Sequence, residues 1–174
     1  MRIAVDTFGS DNAPYPEIEG AVLAIKEELC SQVILVGDEK LLRQELAKYY
    51  YDASRISIVH APERISMDES ASLAVRKKRD SSLVRTITLH QEGEAEAAVS
   101  AGNTGAVMAA SLLIYGRIRN VSRPAIAVTF PTQKNPELIL DVGANVDCEA
   151  DNLLQFAHMG SLYCQFLFGI ERPR

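Results

Sequence analysis

Ala98-Val-Ser-Ala-Gly-Asn-Thr-Gly105, running straight into Ala106-Val-Met-Ala-Ala-Ser-Leu-Leu-Ile114, is the stretch whose reading decides the fold. A short apolar run stops at a loop carrying Ser100, Gly102, Asn103, Thr104 and Gly105, and an apolar helix pattern begins at once. Strand, glycine turn and helix N-terminus in that order make an anion pocket. The glycines let the backbone approach a ligand, unpaired N–H groups point at it, and the helix dipole favours negative charge. The loop has neither the lysine and spacing of a P-loop nor the dinucleotide fingerprint. An anion is expected here, of a kind the loop alone does not specify.

Outward from that loop the same alternation repeats. Ile3–Val5, Val33–Val36, Ile56–Val59 and Glu96–Ser100 read as strands. Pro14–Leu29, Glu39–Tyr49, Ser70–Lys77, Ser82–Gln91, Thr104–Tyr115 and Ala150–Phe168 carry helical spacing. Ala125–Thr129 and Leu138–Val142 are two further strands joined by Pro131-Thr-Gln-Lys-Asn-Pro136, a connection short enough for the second to run antiparallel. Helices between apolar strands predict an α/β fold, doubly wound, with a mostly parallel sheet and helices on both faces. The elements are read as a single α/β unit over 1–174. Ile170-Glu-Arg-Pro-Arg174 looks like a helix-to-strand connection without its strand, so the fold is expected to be incomplete.

Composition narrows the function classes. With 47% hydrophobic residues the 174-residue chain supports a packed core. A net charge of −5 argues against a general nucleic-acid binder. Cys30, Cys148 and Cys164 are widely spaced, show no metal-ligand pattern and read as buried reduced thiols. No signal peptide or membrane span is visible, which points to the cytoplasm.

Three polar loops follow strands: Asp6–Asn12, Ser100–Gly105 and Asp141–Asp147. In one parallel sheet they emerge at a shared carboxyl edge, where ligands bind. Asp and Asn are also common turn and cap residues. Asp6, Asp141 and Asp147 offer oxygen ligands for a hard cation. No coordinating pattern accompanies them, and neither metal nor cofactor is expected. Arg76-Lys-Lys-Arg79 is the main positive run of an acidic chain, read either as a solvated helix end or as a dock for an acidic partner. Ser81 is placed to cap the next helix, and Lys134 is a further candidate anion contact.

Taken in order, Ile3-Ala-Val-Asp6, Gly9-Ser-Asp-Asn-Ala-Pro14, Val36-Gly-Asp38, Arg76–Ser82, Ser100–Gly105, Arg123-Pro-Ala125 and Leu140-Asp-Val-Gly-Ala-Asn-Val-Asp-Cys148 closely resemble the PlsX family of bacterial phosphate acyltransferases. The likeness spans the whole chain, which then corresponds to the N-terminal half of a longer enzyme. The family usually carries Ala-Met-Gly-Gly-Asp where this chain has Thr7-Phe-Gly-Ser-Asp11.

The resemblance implies a fold similar to the isocitrate and isopropylmalate dehydrogenases. It also implies transfer of a fatty acyl group from acyl carrier protein to inorganic phosphate, by a homodimer at or near the inner face of the cell membrane. The product feeds a membrane glycerol-phosphate acyltransferase. Ser100, Gly102, Asn103, Thr104 and Gly105 are then expected to bind phosphate, and Asn145 to face the carbonyl oxygen or the pantetheine arm. Asp6 joins Asn103 and Asn145 as catalytic, while Ser10, Asp11, Asn12, Lys134, Asp141 and Asp147 orient substrate. Arg76, Lys77, Lys78 and Arg79 dock the carrier. Three other readings stay open: a phosphotransacylase acting on acyl-coenzyme A, a nucleotide-dependent dehydrogenase on the same scaffold, and a non-catalytic interaction module.

Overall fold

The computed structural model describes residues 1–133 and 136–173, which leaves Lys134 outside the described residues. Where the sequence pattern runs as one α/β unit, the contacts gather into two compact units, Met1–Gly116 and Arg117–Arg174.

The first unit holds β1 (Arg2–Asp6), α1 (Tyr15–Lys26), β2 (Gln32–Gly37), α2 (Glu39–Leu46), β3 (Ile56–His60), α3 (Ala71–Lys77), α4 (Ser82–Gln91), β4 (Ala97–Ser100) and α5 (Thr104–Tyr115). Its strands are all parallel, in the order β3-β2-β1-β4, with β4 at one edge. Strand alternation sorts the core into two layers. Ile3, Val5, Val33 and Leu35 pack with Ile18, Val22 and Ile25 of α1 and Leu42 of α2. Ala4, Ile34 and Val36 pack with Ala61, Ala95 and Leu89 of α4. The expected α/β arrangement, mostly parallel and covered on both faces, is what forms here. A further cluster joins Val75, Leu83 and Ile87 to Ala106 and Ala110, whose small side chains let α5 lie close to α3 and α4.

Local chemistry sets the helix ends. Asp38 accepts the Leu41 N–H at the start of α2, and Ser81 caps α4 as its position suggested. The α1 helix ends at Lys26 and not at the expected Leu29, because Glu28 takes a left-handed conformation (φ 57°) that turns the chain into β2.

The second unit holds β5 (Ala127–Phe130), β6 (Glu137–Leu140) and α6 (Ala150–Phe168). β5 and β6 pair antiparallel and form their own two-stranded sheet, so they do not extend the parallel one as the alternation suggested. The short connection explains this, since a parallel crossover needs a dozen residues or more. Glu149 and Asn152 build a reciprocal capping box at the start of α6, and Gly160 lets the helix lie against Leu138 and Leu140. Phe156 and Cys164 are buried, whereas Leu153, Leu154, Leu162, Phe166 and Leu167 are exposed. Cys148 is exposed too, against expectation, because it sits in the polar loop ahead of α6. No described helix is long and apolar enough to cross a membrane.

Candidate functional site

In the order β3-β2-β1-β4 the chain builds outward from β1 and then jumps to its other side at β4. The junction of β1 and β4 is therefore the topological switch point, where open α/β sheets leave a crevice beyond the carboxyl ends of the strands. Asp6 and Ser100 end these two strands and are register partners there.

The loops that follow are locked together. Asp6 is 1% exposed, and its carboxylate accepts the Ser100 hydroxyl at Oδ2 (2.7 Å) and the Phe8 N–H at Oδ1 (3.2 Å). The Gly102 N–H in turn donates to Ser100 Oγ (3.1 Å). Gly9 lies against Gly102 so closely that a Cβ on Gly9 would sit 2.8 Å from the Gly102 nitrogen. Both positions need glycine for that approach. Ser100 and Gly102 thus spend their donors on bracing the loop.

Asn103 is the N-cap of α5, with Oδ1 accepting the Ala106 N–H (3.0 Å). Its Nδ2 donates to the carbonyls of Met67 (3.0 Å) and Glu69 (3.2 Å), which ties the 66–69 turn to the helix start. Once these bonds are made, the backbone N–H groups of Asn103, Thr104 and Gly105 have no acceptor among the described residues. Three such donors at the N-terminus of a 12-residue helix suit an anion. Close by in sequence, Ser10 Oγ is shielded from solvent without a hydrogen-bond partner, while Asp11 and Asn12 are exposed. Among the described residues no group of three or more His, Cys, Asp or Glu is placed to hold a metal ion.

The third loop belongs to the second unit, after β6, and not to the edge of the parallel sheet. Asp141 Oδ1 accepts the Ile126 N–H (2.9 Å), and Oδ2 accepts the Asn145 N–H (2.6 Å) and Nδ2 (3.0 Å). The second Nδ2 hydrogen of Asn145 reaches the Pro124 carbonyl (2.8 Å). Asp147 contributes its carbonyl, which accepts from Arg123 Nη1 (2.6 Å). Partial burial pushes the Asp141 carboxyl up, but the N–H groups of Ile126, Asn145 and Ala144 and the Asn145 amide outweigh it and hold the group below its ordinary 3.8. A carboxyl lowered on folding stabilises fully above that ordinary value and loses its contribution as pH falls through the folded one. In an NMR pH titration the Ile126 and Asn145 amide shifts are expected to follow a midpoint below 3.8, and a midpoint at or above 3.8 would count against the brace.

The basic run divides. Lys78 pairs with Glu69 (2.6 Å) and donates to the Arg64 carbonyl (2.8 Å), so it fastens α3 to the preceding turn. Arg76, Lys77 and Arg79 are exposed and make no ion pair among the described residues.

The fatty acid synthesis protein family model matches residues 1–174. Phosphate acyltransferases of Geobacter sulfurreducens, Trichlorobacter lovleyi and Halothermothrix orenii are 50%, 52% and 48% identical over the whole chain. The chain spans about half the length of these curated relatives: 50%, 50% and 52%. A phosphotransacetylase from Streptococcus pyogenes superposes with a TM-score of 0.69 at 18% identity, over 98% of this chain and 55% of its own, a likeness of fold. Matched by the family model from end to end, and half-identical to several phosphate acyltransferases, the chain belongs to the fatty acid synthesis protein family, the PlsX-type proteins that its motifs resemble.

Proposed function

We propose that this chain supplies the phosphate-holding part of an enzyme that moves a fatty acyl group from acyl carrier protein to inorganic phosphate. The observation that carries the reading is the set of unsatisfied N–H groups of Asn103, Thr104 and Gly105, aimed from a helix start at the switch point of the sheet. A phosphate oxygen attacks the thioester carbonyl carbon, a tetrahedral oxyanion forms, the C–S bond breaks, and acyl phosphate leaves with a free thiol on the carrier. Phosphate is the nucleophile, so neither serine nor cysteine has to be activated. The loop's task is to hold the anion in line with the carbonyl and away from competing water.

Asp6, Ser100 and Gly102 act in this reading by fixing the loop, Asn103 by capping the helix, and Ser10, Asp11 and Asn12 by flanking the anion. A bare carboxylate repels phosphate, and Asp6 meets that difficulty by turning both its oxygens onto Ser100 and Phe8. In the second unit Asn145 has spent both amide hydrogens on Pro124 and Asp141, so Oδ1 is the atom left to accept from the pantetheine arm. Asp141 and Asp147 keep that loop in shape. Carrier docking falls to Arg76, Lys77 and Arg79, with Lys78 fastening their helix. Lys134 is proposed as a further anion contact on the charge it brings to its loop. We extend the same reading to a homodimer with the dehydrogenase-like fold, working at the inner membrane face and passing acyl phosphate to a membrane glycerol-phosphate acyltransferase.

Thr104 is the first residue of α5, where proline is tolerated because its missing N–H is one of the unpaired ones anyway. Asn103 is already extended (ψ 110°), as a residue before proline must be. Thr104→Pro therefore deletes one anion donor and leaves the helix standing. In a ³¹P titration of inorganic phosphate we expect Thr104→Pro to weaken binding about tenfold, as loss of a hydrogen bond to a charged group implies, and Thr104→Ala to bind as the unaltered chain does. Unchanged affinity in Thr104→Pro would sink the assignment. In a polypeptide spanning the full length of the relatives, faster acyl phosphate formation from carrier-held than from coenzyme A-held acyl groups separates the carrier-dependent reading from the phosphotransacylase one.

A further inference from the structure

At the carboxyl edge of β2 and β3 the first unit carries a second concavity, a cleft of about 340 Å³. That volume falls at the lower end of small-ligand sites. Phe8, Leu41 and Pro62 make it apolar, and Lys40 and Arg64 stand at it as exposed cations. Neither cation has an ion pair or a side-chain hydrogen bond among the described residues. The two acids of the cleft are engaged: Asp38 accepts the Leu41 N–H (2.9 Å), and Glu63 accepts the Asp80 N–H (3.0 Å). Two unpaired cations over an apolar wall suit a ligand with an anionic head and an uncharged stem. Arginine in particular grips phosphate oxygens through paired N–H groups.

The cleft and the anion loop are two sides of one turn. Phe8 lines the cleft, its ring filling the space a side chain on Gly37 would need, while the next residue, Gly9, lies against Gly102 of the anion loop. The cleft opens beyond β2 and β3 and the anion loop beyond β1 and β4, so the two lie about two or three strand spacings apart, roughly 10–15 Å. We propose that this cleft receives the phosphopantetheine arm of the thioester donor, with Lys40 and Arg64 holding its phosphate and the stem crossing Phe8 toward the anion loop. The inference rests on the acyl-transfer reading above and adds where the donor's arm is gripped.

The test is calorimetric binding of pantetheine 4′-phosphate and of pantetheine to the chain, compared with the double charge reversal Lys40→Glu, Arg64→Glu. We expect the phosphorylated probe to bind at least tenfold more tightly than pantetheine, and the preference to vanish in the variant. Equal binding of the two probes, or a preference that survives the reversal, overturns the proposal. Both residues are exposed, so circular dichroism is expected to show the variant folded. Displacement of the bound probe by a pantetheinylated carrier protein, or by coenzyme A alone, supports the cleft and tells which donor uses it. A ³¹P titration of inorganic phosphate runs alongside. If phosphate still binds the α5 loop while the cleft shows no preference, the arm site fails alone. If phosphate does not bind either, the acyl-transfer reading fails with it.

Discussion

Replacing Gly9 by alanine is expected to cut phosphate affinity more than tenfold and to destabilise the first unit. The new Cβ would lie 2.8 Å from the Gly102 nitrogen, 2.9 Å from its Cα and 2.8 Å from Asp6 Oδ2. Two of those atoms are backbone, and the third belongs to a carboxylate fixed by two hydrogen bonds, so no side chain can swing aside. The loops must part instead. Overpacking of this kind costs about 1–3 kcal/mol, and the displaced partner is the segment that aims the three N–H groups. Gly102→Ala should be milder, because its Cβ meets Gly9 Cα at 3.0 Å and the Ser100 hydroxyl at 3.2 Å. Denaturant melts and phosphate titrations of the two variants check the ranking. A Gly9→Ala protein with unaltered phosphate affinity would show that the β1 and β4 loops need not touch.

Asp6→Ala is the second large effect. It strands the Ser100 hydroxyl and the Phe8 N–H in a partly buried place, and each had been donating to a charged acceptor. Such bonds contribute about 1.5–3 kcal/mol apiece, and removing one partner leaves the other's desolvation uncompensated. Against this stands relief from holding a carboxylate in the interior without a cation. We expect a net loss of about 2–4 kcal/mol in urea unfolding, with phosphate binding lost alongside. Asp6→Asn separates shape from charge. Its Oδ1 still accepts from Phe8, and its Nδ2 donates to Ser100 Oγ, which reverses that bond without breaking it. Asn is therefore expected to recover most of the stability that Ala forfeits. Equal losses from Ala and Asn would mean that the negative charge, and not the pair of hydrogen bonds, is what the fold requires.

The sequence carried much of this architecture because the core strands are nearly uniform in character. Val33-Ile-Leu-Val36 is apolar at every position, as a strand covered on both faces must be, and the apolar spacing of Ile18, Val22 and Ile25 marks a helix. The glycine turn before Thr104 was equally plain as a helix start. The pairing of Asp6 with Ser100 could not be read that way, since 94 residues separate them and only the strand order makes them neighbours. Nor does sequence tell how a polar side chain spends its donors. Asn103 was visible as a polar residue of the anion loop, but its use as a cap and as a staple to the 66–69 turn is a tertiary fact. In sequence Lys78 is equivalent to its neighbours in a basic run, and only the fold brings Glu69, nine residues upstream, to pair with it. Sequence groups the Asp141 loop with the other two, since all three follow strands, but β5 pairs antiparallel with β6 in a sheet of their own. Nothing in the sequence singles out Lys40 and Arg64. They are unremarkable as isolated surface cations and gain meaning from the cleft that β2 and β3 place between them.

The position of β4 has a consequence beyond the site it helps to build. This strand ends the sheet, its residues Ala97-Ala-Val-Ser100 include no lysine or proline, and Val99 is 50% exposed. Natural edges are commonly guarded by charge, proline or a covering element because open ladder groups recruit other chains. β4 has none of those guards among its own residues. The strand that gives the anion loop its rigid footing is thus also an open seam, ready to continue its ladder with extended backbone that comes alongside.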